Sequence, residues 1–188
     1  RRALARLLYR TERWRTLADA LKDEEAHACR DVAERVTLLF QLAALYRDRL
    51  RQEVLSTATL QRIVELSPEN VAALEQLAAA FAELRRWPDA VAALSRKLHL
   101  VQDPVERGQL YEQIAEIWHE RLGNEQEAVK AIEGAFALDP ARSDLGERLE
   151  SAYTKRREWD KLYALKEKRA AALEGGDYSN ALFVPIRF

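Results

Sequence analysis

This chain is poor in cysteine, glycine, proline and net charge, and each shortage removes a class of protein. Its single cysteine, Cys29, excludes an intramolecular disulfide framework and fits a reducing compartment. With 6 Gly and 5 Pro among 188 residues, turns are few and strand-like runs scarce. A formal net charge of −1 gives no general attraction to nucleic acid or to an anionic membrane. No apolar run approaches the roughly 18 residues of a membrane span. Catalytic signatures are missing too: there is no glycine-rich phosphate loop and no HExxH pair. His27-x-Cys29 supplies two ligands, where metal sites usually need three or four. His99 and His119 fall on separate predicted helices with no nucleophile beside them. This segment is therefore not expected to be an enzyme or to hold a cofactor or metal.

What the chain does have is helical periodicity. Hydrophobic residues make up 48% and charged ones 32%, enough apolar side chains for a continuous core in a helix-rich protein. The clearest stretch runs from Asp103 to Pro140. Asp103 is placed to cap a helix that has Pro104 in its first turn, with Glu106 completing a capping box. Tyr111, Ile114, Ala115 and Trp118 share one face of that helix. After a turn at Leu122-Gly123-Asn124, a second stripe follows through Ala128, Val129, Ile132, Ala135, Phe136 and Leu138. Neither helix can bury its stripe alone, so the pair must stack on neighbours.

Those neighbours are copies of itself. Asp31 to Pro68 aligns without a gap on Asp103 to Pro140, 72 residues later, keeping Glu34, Arg35, Leu38, Gln41, Ala43, Leu50, Glu53 and Leu66. Arg85-x-Trp87 falls on Arg157-x-Trp159 at the same offset, and Trp14 precedes Trp87 by 73 residues. Half of that period, about 36 residues, is one helix pair of a helical solenoid. Read in order, the expected helices are 1–10, 14–22, 31–50, 53–66, 68–84, 87–101, 105–122, 125–138, 142–157 and 159–173. Residues 23–30 are expected to form a polar connection or an extra turn. Trp14, Trp87 and Trp159 recur at the repeat period and are expected as core wedges at the helix turns, with Trp118 in the aromatic core position. Gly175-Gly176 is expected to end the helical pattern. The chain opens at Arg1-Arg2 already in helical register, which suggests a piece of a longer protein. Its 30 basic residues include only seven lysines, which hints at a GC-rich bacterial genome.

The pattern Tyr111-x2-Ile114-Ala115-x2-Trp118, with Ala128, Ala135 and Pro140 following, resembles the tetratricopeptide repeat. Leu39, Leu42, Ala43 and Tyr46 repeat it, as do Leu74, Leu77, Ala78 and Phe81, and partly Leu4, Ala5 and Leu8. The small residue lets helix axes approach closely. The last copy departs, with Glu150 at the small position and Leu162 where Ala90 and Ala128 stand, so it is expected to be splayed or to act as a cap. The resemblance covers about residues 1–173. It implies an all-α, right-handed superhelical solenoid of antiparallel helix pairs, about four and a half repeats, over residues 1–174. A Gly-Gly linker and a hydrophobic extended tail over 175–188 are expected to follow.

In such arrays the first helix of each pair lines a concave groove, so the resemblance implies a protein–protein interaction scaffold with a peptide or partner protein in that groove; a cytoplasmic location is expected separately, from the lone cysteine. The alternative is a regulatory or recruitment domain of a larger enzyme or signalling protein; RNA binding by helical repeats is disfavoured. The expected groove carries Arg6, Tyr9, Arg10, Phe40 and Arg47 in the amino half, then Glu75, Glu83, Glu112, Glu116, His119, Glu147 and Lys155. It reads as basic with aromatics first and predominantly acidic afterwards. Family members that grip a chaperone's acidic carboxyl terminus use Lys and Asn there, and Glu75, Glu112 and Glu116 argue against that ligand. The tail residues Tyr178, Leu182, Phe183, Ile186, Arg187 and Phe188 are too apolar for a solvated end. They fit the edge of a following domain, an appended remnant, or a peptide that docks in a groove of this chain or a second copy, with Arg187 facing the acidic stripe.

Overall fold

The protein, described from a computed structural model, is all-α. Residues 7–27 and 31–181 are described, with side chains as far as residue 172. The helices are α1 (described over 7–10), α2 (Trp14–His27), α3 (Val32–Asp48), α4 (Glu53–Leu66), α5 (Val71–Glu83), α6 (Trp87–Leu100), α7 (Pro104–Glu116), α8 (Glu125–Leu138), α9 (Ser143–Arg156) and α10 (Trp159–Ala181). Odd-numbered helices open each pair and even-numbered ones close it. The chain forms two compact units, Arg1–Val101 and Gln102–Phe188.

In the first unit α3 is apolar on two sides. Leu42, Leu45 and Tyr46 pack on Leu8, Leu17, Ala18 and Leu21 of the preceding pair. Val36, Leu39 and Ala43 join Leu60, Ile63 and Val64 of α4 and Leu74, Leu77 and Phe81 of α5. That double face is what turns a helix pair into one layer of a stack. Small residues sit where first and second helices cross: Ala43 and Ser56, Ala78 and Ala90, Ala115 and Ala128 are all buried. The Ser56 hydroxyl, too close to the neighbouring helix to reach water, donates to the Ala43 carbonyl at 2.9 Å.

Each pair is joined through one left-handed residue: Glu12, Arg51, Arg85, Gly123 and Arg157, with φ between 54° and 61°. Their spacings are 39, 34, 38 and 34 residues, so the 72-residue period is a long pair plus a short one rather than two equal halves. The turns show where part of the difference lies. In the short turns, Arg13, Arg86 and Glu158 donate their backbone N–H to the carbonyls of Leu8, Phe81 and Tyr153, five residues back. In the long ones, Gln52 and Asn124 reach back six, to Tyr46 and Trp118. The extra residue widens the last turn of the first helix: Leu50 bonds to Leu45 and Leu122 to Ile117, and Ile117–Arg121 is π-helical.

Several sequence expectations need correction. Helix α2 does not stop near Lys22 but continues to His27, because Glu25 lies on its buried face four residues after Leu21. The Glu25 carboxylate accepts from Arg35 of α3 at 2.8 and 3.0 Å and lies 3.1 Å from Arg62 of α4, which makes its burial tolerable. Helix α5 begins at Val71 rather than Pro68, since Asn70 is the cap and accepts the Ala73 N–H at 2.9 Å. Asp103 caps α7 as expected, accepting from Glu106 N–H at 2.9 Å. Helix α10 passes through Gly175 and Gly176 to Ala181, where an extended segment was expected. A glycine costs only about 1 kcal/mol in a helix interior, which does not by itself stop one. The tryptophans are not deep wedges. Trp14, Trp87 and Trp118 are half-buried and Trp159 is 57% exposed.

Candidate functional site

Two clefts occupy the same register in the two units. The amino-side cleft, about 520 Å³, is walled by Tyr9 of α1 and by Gln41, Ala44, Leu45 and Asp48 of α3, with Leu17 and Leu21 of α2 as its floor and Arg49 at its rim. The carboxyl-side cleft, about 690 Å³, is walled by His119 and by Asp144, Glu147, Arg148, Ser151, Ala152, Lys155 and Arg156 of α9. Its floor is Ala128, Val129 and Ile132 of α8, with Glu125 at the edge. Tyr9 and His119 each follow the aromatic-position residue of their helix, Leu8 and Trp118. Ala44 and Ser151 each precede the next one, Tyr46 and Tyr153, by two residues. The repeat therefore presents a trough between successive first helices with a second helix beneath it. Such concave, apolar-floored sites are where ligands usually bind.

Of the predicted groove residues, the structure brings Tyr9 to the first cleft and His119, Glu147 and Lys155 to the second. Arg10, Glu83 and Glu116 are exposed but line neither cleft. Phe40 packs against the hydrophobic core. Arg47 donates to Asp48 at 2.9 Å, and this bond holds the Asp48 carboxyl below the usual carboxylate range, helped by Arg51 and Arg49 nearby. Glu75 sits 3.3 Å from the buried amine of Lys97. Glu112 is gripped by Arg142 through two bonds of 2.5 and 3.2 Å. Arg6 and the tail residues Leu182, Phe183, Ile186, Arg187 and Phe188 lie outside the described residues, as does Cys29; Tyr178 lies on α10 with its side chain outside them.

The acidic balance read for the carboxyl half is thus offset in the folded chain. Two of its glutamates have a cation apiece, and Arg148 and Arg156 join the cleft wall. His119 Nδ1 lies 2.8 Å from Glu125 across the turn. Sequence reasoning missed these groups because it followed only one stripe per first helix, whereas the trough takes its second wall from the next helix. The last pair closes differently: Glu150, at the small-residue position, is held by Arg169 of α10. Among the described residues, no group of three or more His, Cys, Asp or Glu side chains could hold a metal ion. No described helix is long and apolar enough to cross a membrane.

No family profile matches the chain, and no curated protein matches it in sequence. Its likeness is to solved structures. A putative kinesin light chain from Podospora anserina with nearly identical TPR-like repeats superposes with a TM-score of 0.54 at 19% identity, covering 93% of each chain. The crystal structure of MamA gives 0.51 at 17% identity, over 93% of this chain and 96% of that one. The N-terminal domain of stress-induced protein-1 from C. elegans gives 0.52 at 10% identity, over 66% of this chain and 98% of that one. The fold is a tetratricopeptide-type helical repeat.

Proposed function

We propose that this chain is a protein-interaction scaffold that holds a peptide or partner helix in the trough between successive first helices. The observation that carries the reading is the repetition of one cleft, in one register, in both units. An apolar floor with a polar rim fits a peptide that buries alternate side chains and keeps its remaining charges at the edge. The partner is a protein rather than a nucleic acid, because the cleft walls interleave acids and bases instead of forming a basic track.

Site-specific photo-crosslinking tests this. A benzophenone amino acid at Ala44 or Ser151, inside the clefts, is expected to capture a partner in cells. The same group at Val54, 68% exposed on α4, is expected to capture none. Crosslinks from Val54 and not from the clefts would overturn the proposal.

A further inference from the structure

A third cleft, of about 470 Å³, inverts the arrangement of the other two. Its walls are the second helices α8 and α10, and its floor is the first helix α9 beneath them. Leu149 and Tyr153 rise from the floor, Phe136 and Ala137 stand on one wall, and Ala164 and Leu165 on the other. This is the face of the helix pairs turned away from the trough. The cleft lies wholly within the second unit, and an occupant here is independent of whether a partner binds in the trough.

Two differences from the first unit keep it open. At the 72-residue offset Arg96 corresponds to Lys168, Pro68 to Pro140 and Glu65 to Ala137. Arg96 donates to the Pro68 carbonyl at 3.4 Å, which ties α6 to the chain just after α4. Lys168 is exposed, and among the described residues it has no hydrogen bond or ion pair. Ala137 places a methyl group where Glu65 carries a carboxylate. The other polar groups of the lining are engaged with one another. The Tyr153 hydroxyl donates to Glu133 at 2.7 Å, and the Lys161 ammonium donates to the same carboxylate at 3.2 Å and lies 3.3 Å from Glu158. Burial and the bond to Glu133 push the Tyr153 hydroxyl above its ordinary range, so it stays a donor at neutral pH. The lining therefore holds two cations and one anion, and the cation left over is Lys168.

We infer that this cleft binds a small amphipathic monocarboxylate, with its apolar body between Ala137 and Ala164 over Leu149 and Leu165 and its carboxylate accepting from Lys168. The volume falls within the roughly 300–1,000 Å³ of small-molecule sites. One free cation beside an otherwise neutralised, apolar lining suits a single negative charge. A dianion would leave a charge unpaired, and an ammonium would meet Lys168 with like sign. A peptide fits less well. Each main-chain N–H and C=O brought into the cleft needs a partner, and Glu133, Tyr153 and Lys161 are already engaged.

The test is methyl NMR of the full chain titrated with octanoate at neutral pH, with octylammonium and butanoate as comparison probes. Octanoate is expected to shift the Leu149 and Leu165 methyls saturably. It is expected to bind at least about tenfold more tightly than octylammonium, which reverses the charge, or butanoate, which lacks four methylenes. Lys168→Glu is expected to weaken octanoate about tenfold. Ala164→Trp, which fills the cleft from an exposed helix position, is expected to abolish the shifts. Both positions are exposed, so helix content is expected to stay unchanged in each variant. The inference is overturned by no saturable shift at Leu149 and Leu165, or by shifts confined to Leu17, Leu45, Val129 and Ile132 in the trough. Equal binding of either comparison probe, or indifference to both substitutions, would overturn it as well. None of these results touches the crosslinks from Ala44 and Ser151, so the scaffold reading stands or falls separately.

Discussion

Glu25 shows how much one residue can hide from sequence reasoning. Its counterparts in α4, α6 and α8 are Val64, Leu98 and Phe136, all buried, whereas the one in α10 is the exposed Ala170. The carboxylate, with 4% of its side chain exposed, instead gathers Arg35 and Arg62, which are themselves 30% and 50% exposed. A buried charge is stabilised only while its partners stay, and a hydrophobic replacement of similar size often does as well. Glu25→Ala is therefore expected to lower stability by about 2 kcal/mol through an unfilled site and stranded cations. Glu25→Leu, matching the later repeats, is expected to cost less than about 1 kcal/mol. Urea midpoints of both variants decide, and equal losses would show that the ion pairs rather than the filled volume hold the site. At Trp118, half-buried at the mouth of a turn, Trp118→Ala is expected to cost about 2 kcal/mol, below the roughly 3–5 of a deeply buried aromatic. A loss at the upper end would mean that the indole packs deeper in solution.

At the scale of the element, the turns set the repeat length. Four of the five left-handed positions carry Glu or Arg, and only Gly123 is the residue that conformation favours. A Cβ at Gly123 would meet no atom within 4 Å, so Gly123→Ala isolates the backbone term and is expected to cost about 1 kcal/mol. Arg85→Gly, the reverse change, is expected to gain about 0.5–1 kcal/mol in thermal unfolding. The same sign for both substitutions would contradict the turn geometry. Gly134 answers to a different constraint. A Cβ there would come within 2.5 Å of the Tyr111 ring, so Gly134→Ala is expected to destabilise by about 1–3 kcal/mol despite alanine's better helix propensity.

The helices themselves were legible because each carries an apolar stripe, and the 72-residue offset because whole pairs recur. The unequal halves were not, since an extra residue after Tyr46 and Trp118 falls in a turn that no hydrophobic pattern marks. Of the site, Tyr9, His119, Glu147 and Lys155 could be placed from their offset to the motif aromatics. The Arg142–Glu112 and Lys97–Glu75 bridges could not, because they join residues 30 and 22 apart whose approach is decided by packing.

At the scale of the whole molecule, a stack of helix pairs couples each layer to its neighbours and to little else. Leu74 is fully buried in the first unit, and Leu74→Ala is expected to cost about 3 kcal/mol there. Hydrogen exchange should then quicken across residues 32–100 while α8 and α9 keep their protection; uniform loss along the chain would mean a single cooperative fold. Each unit presents its own cleft, floored by a second helix and walled by the first helices on either side of it. Methyl NMR of the chain with its crosslinked partner examines these clefts most directly. Shifts are expected at Leu17, Leu21 and Leu45 of the amino-side cleft, at Val129 and Ile132 of the carboxyl-side cleft, or at both sets. Shifts confined to Val54, Leu55 and Val105, exposed outside both clefts, would contradict binding in the trough.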